Sequence, residues 1–239
     1  MGNLLHRRKS FQVGSFDTDL WQTFDFSGTV DATNLAANDN TAAGTWAVTD
    51  TDSDYSTSVS SQQSRTSSFT GSSSDTYGLA IDHDGMTNSP EIRYTFASAP
   101  DNLSVGFHFK TTSPANWAGG PLLIGFYNNS LGILELFTER RNPGTNARQL
   151  TAVYNGGAAI TPVDDTWYWM TLQFNRNATS YMEAYKMDGT LLGSQEWTPP
   201  NYPCSYVKIS SGLHSQTGGV SRIDNLVMDW TDATYPLGP

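Results

Sequence analysis

Cysteine is nearly absent from this chain of 239 residues, because Cys204 is the only one. An intramolecular disulfide is therefore excluded, and the fold depends on the burial of apolar surface. A chain of this length buries about 70% of its unfolded surface, so it needs neither a disulfide nor a metal ion to fold. With no sign of a Cys/His pair around it, the lone thiol is predicted to be inert packing, and it is compatible with folding in a reducing cytosol.

Long apolar runs are missing too. No stretch approaches the about 20 apolar residues of a membrane span, so no membrane association is expected. The first ten residues carry Arg7, Arg8 and Lys9, but polar residues follow them. A secretion signal needs an apolar core of about 7–15 residues after its charges. The sequence therefore predicts a protein that is not exported by the usual route.

Positive charge is scarce outside this N-terminal segment. The formal net charge is −10, and residues 11–239 hold ten Lys or Arg against 23 Asp or Glu. An acidic body repels phosphate backbones, which argues against nucleic-acid binding. Residues 1–20 are basic at first and then polar, with isolated apolar residues. They are predicted to form an extended arm, because they have too little apolar surface to fold alone.

The sequence also lacks helical periodicity. It has instead short runs that alternate between apolar and polar residues. The run Leu103–Lys110 puts its four apolar residues on one face, as a half-buried strand does. Asp188 and Gly189 separate two alternating runs, Ser180–Lys186 and Thr190–Trp197, which is a strong hairpin signal. The chain is predicted to be all-β, an antiparallel β-sandwich, with one domain at 21–232 and a C-terminal tail at 233–239.

The order of these features resembles the concanavalin A-like lectin/glucanase superfamily of laminin-G-like jelly rolls. The resemblance lies in the aromatic strand Trp167–Phe174, the strand–turn–strand unit Ser180–Trp197 and the closing strand Arg222–Asp229. In that superfamily the closing strand pairs with an N-terminal strand, which is implied here near Phe24–Phe26. The resemblance implies a jelly-roll fold more than a function, because this architecture carries lectins, glycosidases, lyases and adhesive modules.

Glycosidases need two catalytic carboxylates, about 5–5.5 Å apart in retaining enzymes and about 6.5–9.5 Å apart in inverting ones. Laminarinase-like members of the superfamily carry Glu-x-Asp-x-x-Glu, and the nearest match, Glu135 with Glu139, lacks the central acid. In a strand these two would stand about 13 Å apart, so both are expected to be solvent-facing acids. The residues His83, His108 and His214 have no lyase motif around them. No catalytic residue is assigned, and the protein is not expected to be an enzyme.

A calcium-like segment begins at Asp50, Asp52 and Asp54, with oxygen ligands at positions 1, 3 and 5. The match then fails, since position 6 is Tyr55 rather than Gly and position 12 is Ser61 rather than Glu. No cofactor is expected and no metal ligand is assigned. Structural calcium is nevertheless common in the superfamily that the chain resembles, and the resemblance leaves such a site open.

Glycan binding needs exposed aromatic rings that stack on sugars, together with polar side chains in loops. Trp117 lies in a segment typical of a loop, and Tyr127 and Asn128 follow nearby in sequence. These three residues are predicted as the glycan-binding candidates. A tryptophan in a loop is also commonly a lid on the core or an interface anchor, and that alternative stays open.

Two properties of the chain conflict, because this fold type usually works outside cells while the sequence lacks an export signal and a disulfide. A virion resolves the conflict, since its proteins are made in the host cytosol and released by lysis. The start MGNLLHRR also resembles the N-termini of tailed-bacteriophage structural proteins. The primary hypothesis is a capsid decoration or cement protein located in the virion. It would bind the major capsid protein or another virion protein and form a homo-oligomer, a trimer by the symmetry of a shell.

In this hypothesis the arm docks on an acidic patch of the shell, and many modest contacts add through avidity. The docking contacts are assigned to three cations and three apolar residues, namely Arg7, Arg8, Lys9, Leu4, Leu5 and Phe11. The alternative is a carbohydrate-binding, lectin-like module of a tail or cell-surface protein. A polysaccharide hydrolase or lyase is a third and weaker reading.

Overall fold

A computed structural model of the chain describes residues 19–22, 24, 30–37, 39, 43–49, 79–82, 91–112, 122–141, 148–152, 160–163, 166–211 and 220–232. The elements in these ranges are β1 (Leu20–Gln22), α1 (Ala32–Ala37), β2 (Gly44–Thr49), β3 (Leu79–Asp82), β4 (Glu91–Phe96), β5 (Asn102–Thr112), β6 (Leu122–Asn128), β7 (Gly132–Arg141), β8 (Arg148–Ala152), β9 (Tyr168–Asn175), β10 (Ser180–Lys186), β11 (Leu191–Trp197), β12 (Tyr206–Ser211) and β13 (Val220–Asp229).

The strands form two antiparallel sheets that make a β-sandwich. The seven-stranded sheet has the order β1-β13-β5-β9-β10-β11, with β3 also paired to β13, and the six-stranded sheet has the order β2-β4-β12-β6-β7-β8. The predicted all-β sandwich is therefore confirmed. Within the described ranges, no helix is long and apolar enough to cross a membrane.

The core lies between the sheets and is built from alternate residues of their strands. On β5 the four residues predicted to share a face, Leu103 through Phe109, are all buried in it. An aromatic group closes the core near β11, where the rings of Phe126, Phe137, Phe174 and Trp197 pack with centroid distances of 5.6–6.1 Å. Each fully buried side chain of this kind contributes about 1.5–3 kcal/mol relative to an exposed one.

The predicted hairpin between β10 and β11 is confirmed in its position and its turn. Gly189 has a φ of 83°, which a glycine adopts without strain. Asp188 supports the turn, because its carboxylate accepts a hydrogen bond from the backbone N of Thr190 at 2.9 Å. Hydrogen bonds from the side chain and then the backbone of Thr190 lower the pKa of Asp188.

The closing strand β13 does pair with an N-terminal strand, but the predicted position of that strand is wrong. The paired strand is β1, Leu20–Gln22, in which Trp21 lies opposite Val227. Phe24 is buried, yet its φ of 55° is in the left-handed region, which a strand does not use. Strand β1 therefore ends before Phe24, and residues 25 and 26 lie outside the described residues.

Asp19 fastens the start of β1 to the end of β13. Its carboxylate accepts hydrogen bonds from the backbone N of Trp230 and of Thr231, at 2.6 Å each. The hydroxyl of Thr231 donates a third, at 2.7 Å. The sheet thus begins at Leu20, and Asp19 is bound to the end of β13, although the segment 1–20 was predicted as an arm. Residues 1–18 and the predicted tail at 233–239 lie outside the described residues.

Glu135 contradicts the expectation of a solvent-facing acid, because it is 0% exposed. Its register partner on β6 is Phe126, a core residue, and residues directly opposite in a sheet share a face. In addition, β7 is not an edge strand, since β8 pairs with it. The carboxylate accepts a hydrogen bond from the backbone N of Leu136 at 2.9 Å. The side chain of Glu139 lies outside the described part of the structure.

Candidate functional site

The outer face of the seven-stranded sheet is buried where an antiparallel sheet is normally solvated. His108 on β5 and Trp169 on β9 are each 1% exposed, although both point away from the core between the sheets. The expectation that β5 is half-buried is therefore wrong, because both of its faces are covered. We call Trp21, His108, Trp169, Tyr185 and Asn225 the outer-face row.

Strand register brings three members of the row side by side. His108, Trp169 and Tyr185 lie directly opposite one another across β5, β9 and β10. The rings of His108 and Trp169 pack edge to face, with centroids 4.8 Å apart. Trp169 also packs with Tyr185 and Val227 in a cluster of their own, apart from the main core.

Gly106 provides the space in which the indole of Trp169 lies. A Cβ atom at this position would stand 2.5 Å from the Trp169 ring and 3.0 Å from a methyl group of Val227. Only a residue without a side chain fits beneath the ring. The glycine in the middle of β5 thus serves the packing of the outer face.

A β-bulge in β13 aims Asn225 into the row. The register with β5 shifts between Asp224 and Val227, and Asn225 has a φ of 49°. A residue other than glycine pays about 1–2 kcal/mol for this left-handed conformation, although Asn tolerates it better than most. The backbone N of Asn225 donates to the carboxylate of Asp224 at 2.8 Å. Bulges and left-handed residues of this kind occur preferentially at functional sites.

The side-chain amide of Asn225 connects the edge strand to the centre of the sheet. Its Oδ1 accepts a hydrogen bond from Nε1 of Trp21 at 3.4 Å. Its Nδ2 lies 3.4 Å from Nδ1 of His108, so with the amide as donor the imidazole Nδ1 is the acceptor.

At the far end of the row, Tyr185 donates a hydrogen bond to the carboxylate of Glu183 at 2.6 Å. Burial raises the pKa of Tyr185 above its usual value, and the hydrogen bond to Glu183 raises it further. The phenol therefore stays neutral and acts as a donor at physiological pH. The partly exposed carboxylate of Glu183 keeps acceptor capacity toward solvent.

Partly exposed side chains border the buried row. Trp167, just before β9, packs its ring edge to face with His108 at a centroid distance of 6.4 Å. The ammonium of Lys110 lies 6.0 Å from the centre of the Trp167 ring. Lys110 in turn lies directly opposite Arg222 across β5 and β13. At the edge of the sheet, Trp21 is 45% exposed. Solvent thus reaches two indole rings and two cations around a buried polar row.

Tyr127, one of the glycan-binding candidates, lies on the outer face of the other sheet. Its ring is 7% exposed and stacks on Tyr206, with centroids 4.9 Å apart and planes at 7°. The ammonium of Lys208 lies 4.9 Å from the centre of the Tyr127 ring, and the guanidinium of Arg93 lies 3.6 Å from that of Tyr206. The protein's own side chains therefore occupy this aromatic pair.

Asn128, the second candidate, closes the turn after β6. Its Oδ1 accepts hydrogen bonds from the backbone N of Ser130 at 2.8 Å and of Leu131 at 3.1 Å. Its Nδ2 donates to the carbonyl of Pro203 at 2.9 Å. Trp117, the third candidate, lies outside the described residues. The predicted docking residues Leu4, Leu5, Arg7, Arg8, Lys9 and Phe11 lie outside them as well, so these assignments stay predictions.

The part of the chain that the structure describes contains no group of three or more His, Cys, Asp or Glu side chains that could hold a metal ion. The calcium-like segment with Asp50, Asp52 and Asp54 falls outside that part. Cys204 is fully buried, and its thiol contacts the carbonyl of Tyr206 at 3.4 Å. Burial raises the pKa of Cys204 to about 12, so the thiol stays protonated and the prediction of inert packing is confirmed.

The outer-face row was not found from the sequence, although two signals were present. Trp169 lies in a strand whose inward residues are Tyr168, Met170 and Leu172, so alternation places its large ring on the supposedly solvated face. Gly106 occupies an outward position in the middle of β5, and a glycine within a strand often marks a close approach. Asn225 gave no signal, because its conformation is set by the bulge.

No protein-family model matches the chain, and no curated protein matches it in sequence. Solved structures do match. The carbohydrate esterase of the Shiga toxin-encoding bacteriophage phi24B is 12% identical, with 88% of this chain and 97% of that chain covered and a TM-score of 0.54. The exoplasmic/lumenal domain of VIP36 in its Ca²⁺/Man2-bound form is 11% identical, with 90% and 89% covered and a TM-score of 0.50.

The legume lectin-like domain from Entamoeba histolytica is 9% identical, with 63% of this chain and 82% of that chain covered and a TM-score of 0.47. At such identities the likeness to the first two structures shows the fold alone. That fold is the lectin-like β-sandwich implied by the sequence resemblance.

Proposed function

We propose that this protein binds carbohydrate through the outer face of the seven-stranded sheet. The observation that carries the proposal is the left-handed Asn225, which a bulge aims between Trp21 and His108 in a buried row. Packing of the sandwich does not require this arrangement, because the row lies on the side of the sheet away from the core. Strain that the fold itself does not need is a reason to infer a function.

The chemistry of the row and its border suits a sugar. Binding sites for small molecules are mostly apolar and aromatic, with a few placed polar groups that fix orientation. Here the indoles of Trp21 and Trp167 offer flat apolar faces to the C–H groups of a sugar ring. The amide of Asn225 and the carboxylate of Glu183 offer partners to its hydroxyl groups.

The buried members of the row hold the partly exposed ones in place. His108 packs against both Trp167 and Trp169, so the exposed ring is supported from the centre of the sheet. Groups held by packing and hydrogen bonds bind without a large loss of side-chain entropy. Two proteins of the same fold further support the proposal, since VIP36 was solved with Man2 and the phage protein is a carbohydrate esterase.

A glycan array with the full chain tests the proposal. We expect at least one glycan to bind, and we expect Trp167→Ala to weaken that binding by about tenfold or more, which is the loss of one strong contact. The matched control is Tyr202→Ala, which removes a side chain that is 43% exposed on a distant loop. It should leave binding unchanged.

Two results would contradict the proposed location. One is an array without any bound glycan. The other is binding that survives both Trp167→Ala and Trp21→Ala but is lost in Trp117→Ala, which would place the site in the loop that the sequence favoured.

We also propose, from the sequence, that residues 1–18 attach the domain to the major capsid protein or another virion component. The Asp19 contacts support this role, because they fix the start of β1 to the sheet and would carry a load from a preceding segment. Deleting residues 1–15 leaves these contacts intact and should abolish virion occupancy, measured by gel densitometry of purified particles. Undiminished occupancy would rule out docking by the arm.

A further inference from the structure

Strand β11 forms one edge of the seven-stranded sheet, and in the described part of the chain its only neighbour in the sheet is β10. An edge strand presents a row of N–H and C=O groups to which another strand can add, and proteins usually protect such edges with lysine, proline, a bulge or a covering segment. Strand β11 has neither lysine nor proline. Its register shift with β10 lies near its start and leaves Gly193–Trp197 regular.

The neighbouring edge of the other sheet is covered. Strand β8 ends the six-stranded sheet, and Leu150 in it exchanges two backbone hydrogen bonds with Ile160, at 2.7 Å and 3.1 Å. Ile160 also lies close to β11, because a Cβ on Gly193 would stand 3.1 Å from its side chain. Both of these backbone bonds go to β8, so within the described ranges Ile160 covers one edge and not the other.

The outer face beside the edge of β11 is acidic. Register places Glu196 opposite Tyr181 and Ser194 opposite Glu183, on the face away from the core residues of β10. Glu196 is exposed and Glu183 is partly exposed. The only cation in β10 and β11 is Lys186, which lies by the hairpin turn at the other end of β11. Basic side chains would therefore favour the addition of a strand to this edge.

The N-terminal segment 1–18 has the charge that such a strand needs. It carries Arg7, Arg8 and Lys9, and its only acid is Asp17. Alternate side chains of a strand share a face, so Arg7 and Lys9 would lie on one face together. The segment has too little apolar surface to fold alone, and an extended segment becomes ordered when it adds to an exposed sheet edge.

We propose that residues 1–18 of one copy add as a strand to β11 of a second copy, with Arg7 and Lys9 beside Glu196 and Glu183. The proposal deepens the attachment role given to these residues above and rests on it, because a second copy is the virion component that it names. The contact joins two different surfaces. Repeated contacts of this kind close into a ring or extend as a chain of copies.

The place where the segment joins the domain favours a second copy over the chain's own edge. The segment ends at Asp19, which is fixed beside β1, and β1 lies at the opposite edge of the sheet from β11. Five strand intervals separate the two edges, which is about 24 Å. To reach its own β11, the segment would have to turn back and cross the outer face, whereas a second copy requires no such path.

Sedimentation velocity of the full chain over a range of concentrations tests the contact in the absence of a virion. We expect oligomers at high concentration. Deletion of residues 1–15 should leave monomers, because the added strand is then missing. An excess of a synthetic peptide of residues 1–18 should dissociate the oligomers of the full chain, because it competes for the same edge.

Charge exchange tests the register of the contact. Glu196→Lys should weaken association by about tenfold, because an attractive exposed pair becomes a repulsive one. Combining it with Arg7→Glu and Lys9→Glu should restore association, because the opposite charges then face each other again. The matched control is Asp232→Lys, which makes the same change of charge at an exposed residue beyond the end of β13. It should leave association unchanged.

The outcomes separate this proposal from the attachment to the virion. A full chain that stays monomeric at every concentration would overturn it, and this result includes a segment that adds to its own β11. Oligomers that survive the deletion, or that Glu196→Lys does not weaken, would overturn it as well. In each case a loss of virion occupancy on deletion of residues 1–15 would still support docking on another virion protein. A melting curve for each variant shows that it is folded.

Discussion

The two sheets of the sandwich have outer faces of opposite character. On the six-stranded sheet, Lys208 lies over Tyr127, Tyr127 stacks on Tyr206, and Arg93 lies over Tyr206. Lys208 also forms an ion pair with Glu91 at 3.1 Å. On the seven-stranded sheet, Arg222 has a buried Nε that makes no hydrogen bond within the described structure. The cations named on the six-stranded sheet have partners, whereas the Nε of Arg222 on the other sheet makes no hydrogen bond within the described residues.

The two outer faces share one feature, because each sheet covers a central glycine with an aromatic ring. A Cβ at Gly125 would meet the Tyr127 ring and a Leu136 methyl at 2.5 Å, and a Cβ at Gly106 would meet the Trp169 ring at 2.5 Å. On the six-stranded sheet this glycine lies beneath the stacked cations and tyrosine rings. On the seven-stranded sheet it lies beneath the outer-face row, which partly exposed side chains border. The packing of a ring over a glycine therefore does not distinguish the two outer faces, whereas the buried Nε of Arg222 does.

The largest effect on the free energy of unfolding is expected from replacing the two glycines with alanine. Gly106→Ala should lower the free energy of unfolding by about 2–3 kcal/mol, because the buried Trp169 ring cannot move aside. Gly125→Ala should cost about as much, because its Cβ would meet the Tyr127 ring, which is buried and held by Tyr206 and Lys208. Urea unfolding measures both. Gly106→Ala alone should also reduce glycan binding, and equal loss in both variants would remove the contrast between the faces.

A smaller effect is expected at Asn225, which tests whether the bulge is strained. Asn225→Ala should be less stable than Asn225→Gly by about 1 kcal/mol, because alanine cannot adopt a φ of 49° without cost. In an ordinary strand position glycine is the worse residue. The order of the two midpoints in chemical denaturation decides the matter. Both variants should lose glycan binding, since both lack the amide.

The smallest effect on the free energy of unfolding is expected from replacing one cation on each face with methionine, and its sign should differ between the faces. Arg222→Met should raise the unfolding free energy by up to about 1 kcal/mol, because it removes an unsatisfied buried donor and a repulsion with Lys110. Lys208→Met should lower it by about 0.5–1 kcal/mol, because it removes a cation–aromatic contact and a partly exposed ion pair. Thermal melting of the two variants side by side gives the signs. A loss of stability in Arg222→Met would show that the arginine is structural.

The fold was readable from the sequence because its signals are local. Alternation in Leu103–Lys110 and the turn at Asp188 and Gly189 depend only on neighbouring residues, and the structure confirms both. Glu135 was misjudged because its burial depends on Phe126, the residue that register places opposite it. The local sequence pattern predicts a strand, but it does not predict which residues of other strands lie beside it.

The candidate site could not be read in the same way. His108, Trp169 and Asn225 come from three strands, and β13 reaches β5 from more than a hundred residues along the chain. Tyr127 and Asn128 were predicted because they follow Trp117 nearby in sequence, whereas they end strand β6 and use their side chains within the fold. A row of side chains assembled across strands depends on the order of the strands in the sheet, which a single sequence does not reveal.

The Asp19 contacts have a consequence for how the domain can be built into larger chains. Because β1 and β13 are antiparallel, the first and last described residues of the sandwich meet at one corner, where the Thr231 hydroxyl lies 2.7 Å from the Asp19 carboxylate. Domains whose ends meet are readily inserted into loops of other proteins or circularly permuted. The sandwich could therefore be inserted into a loop of another protein without separating the two ends of that loop.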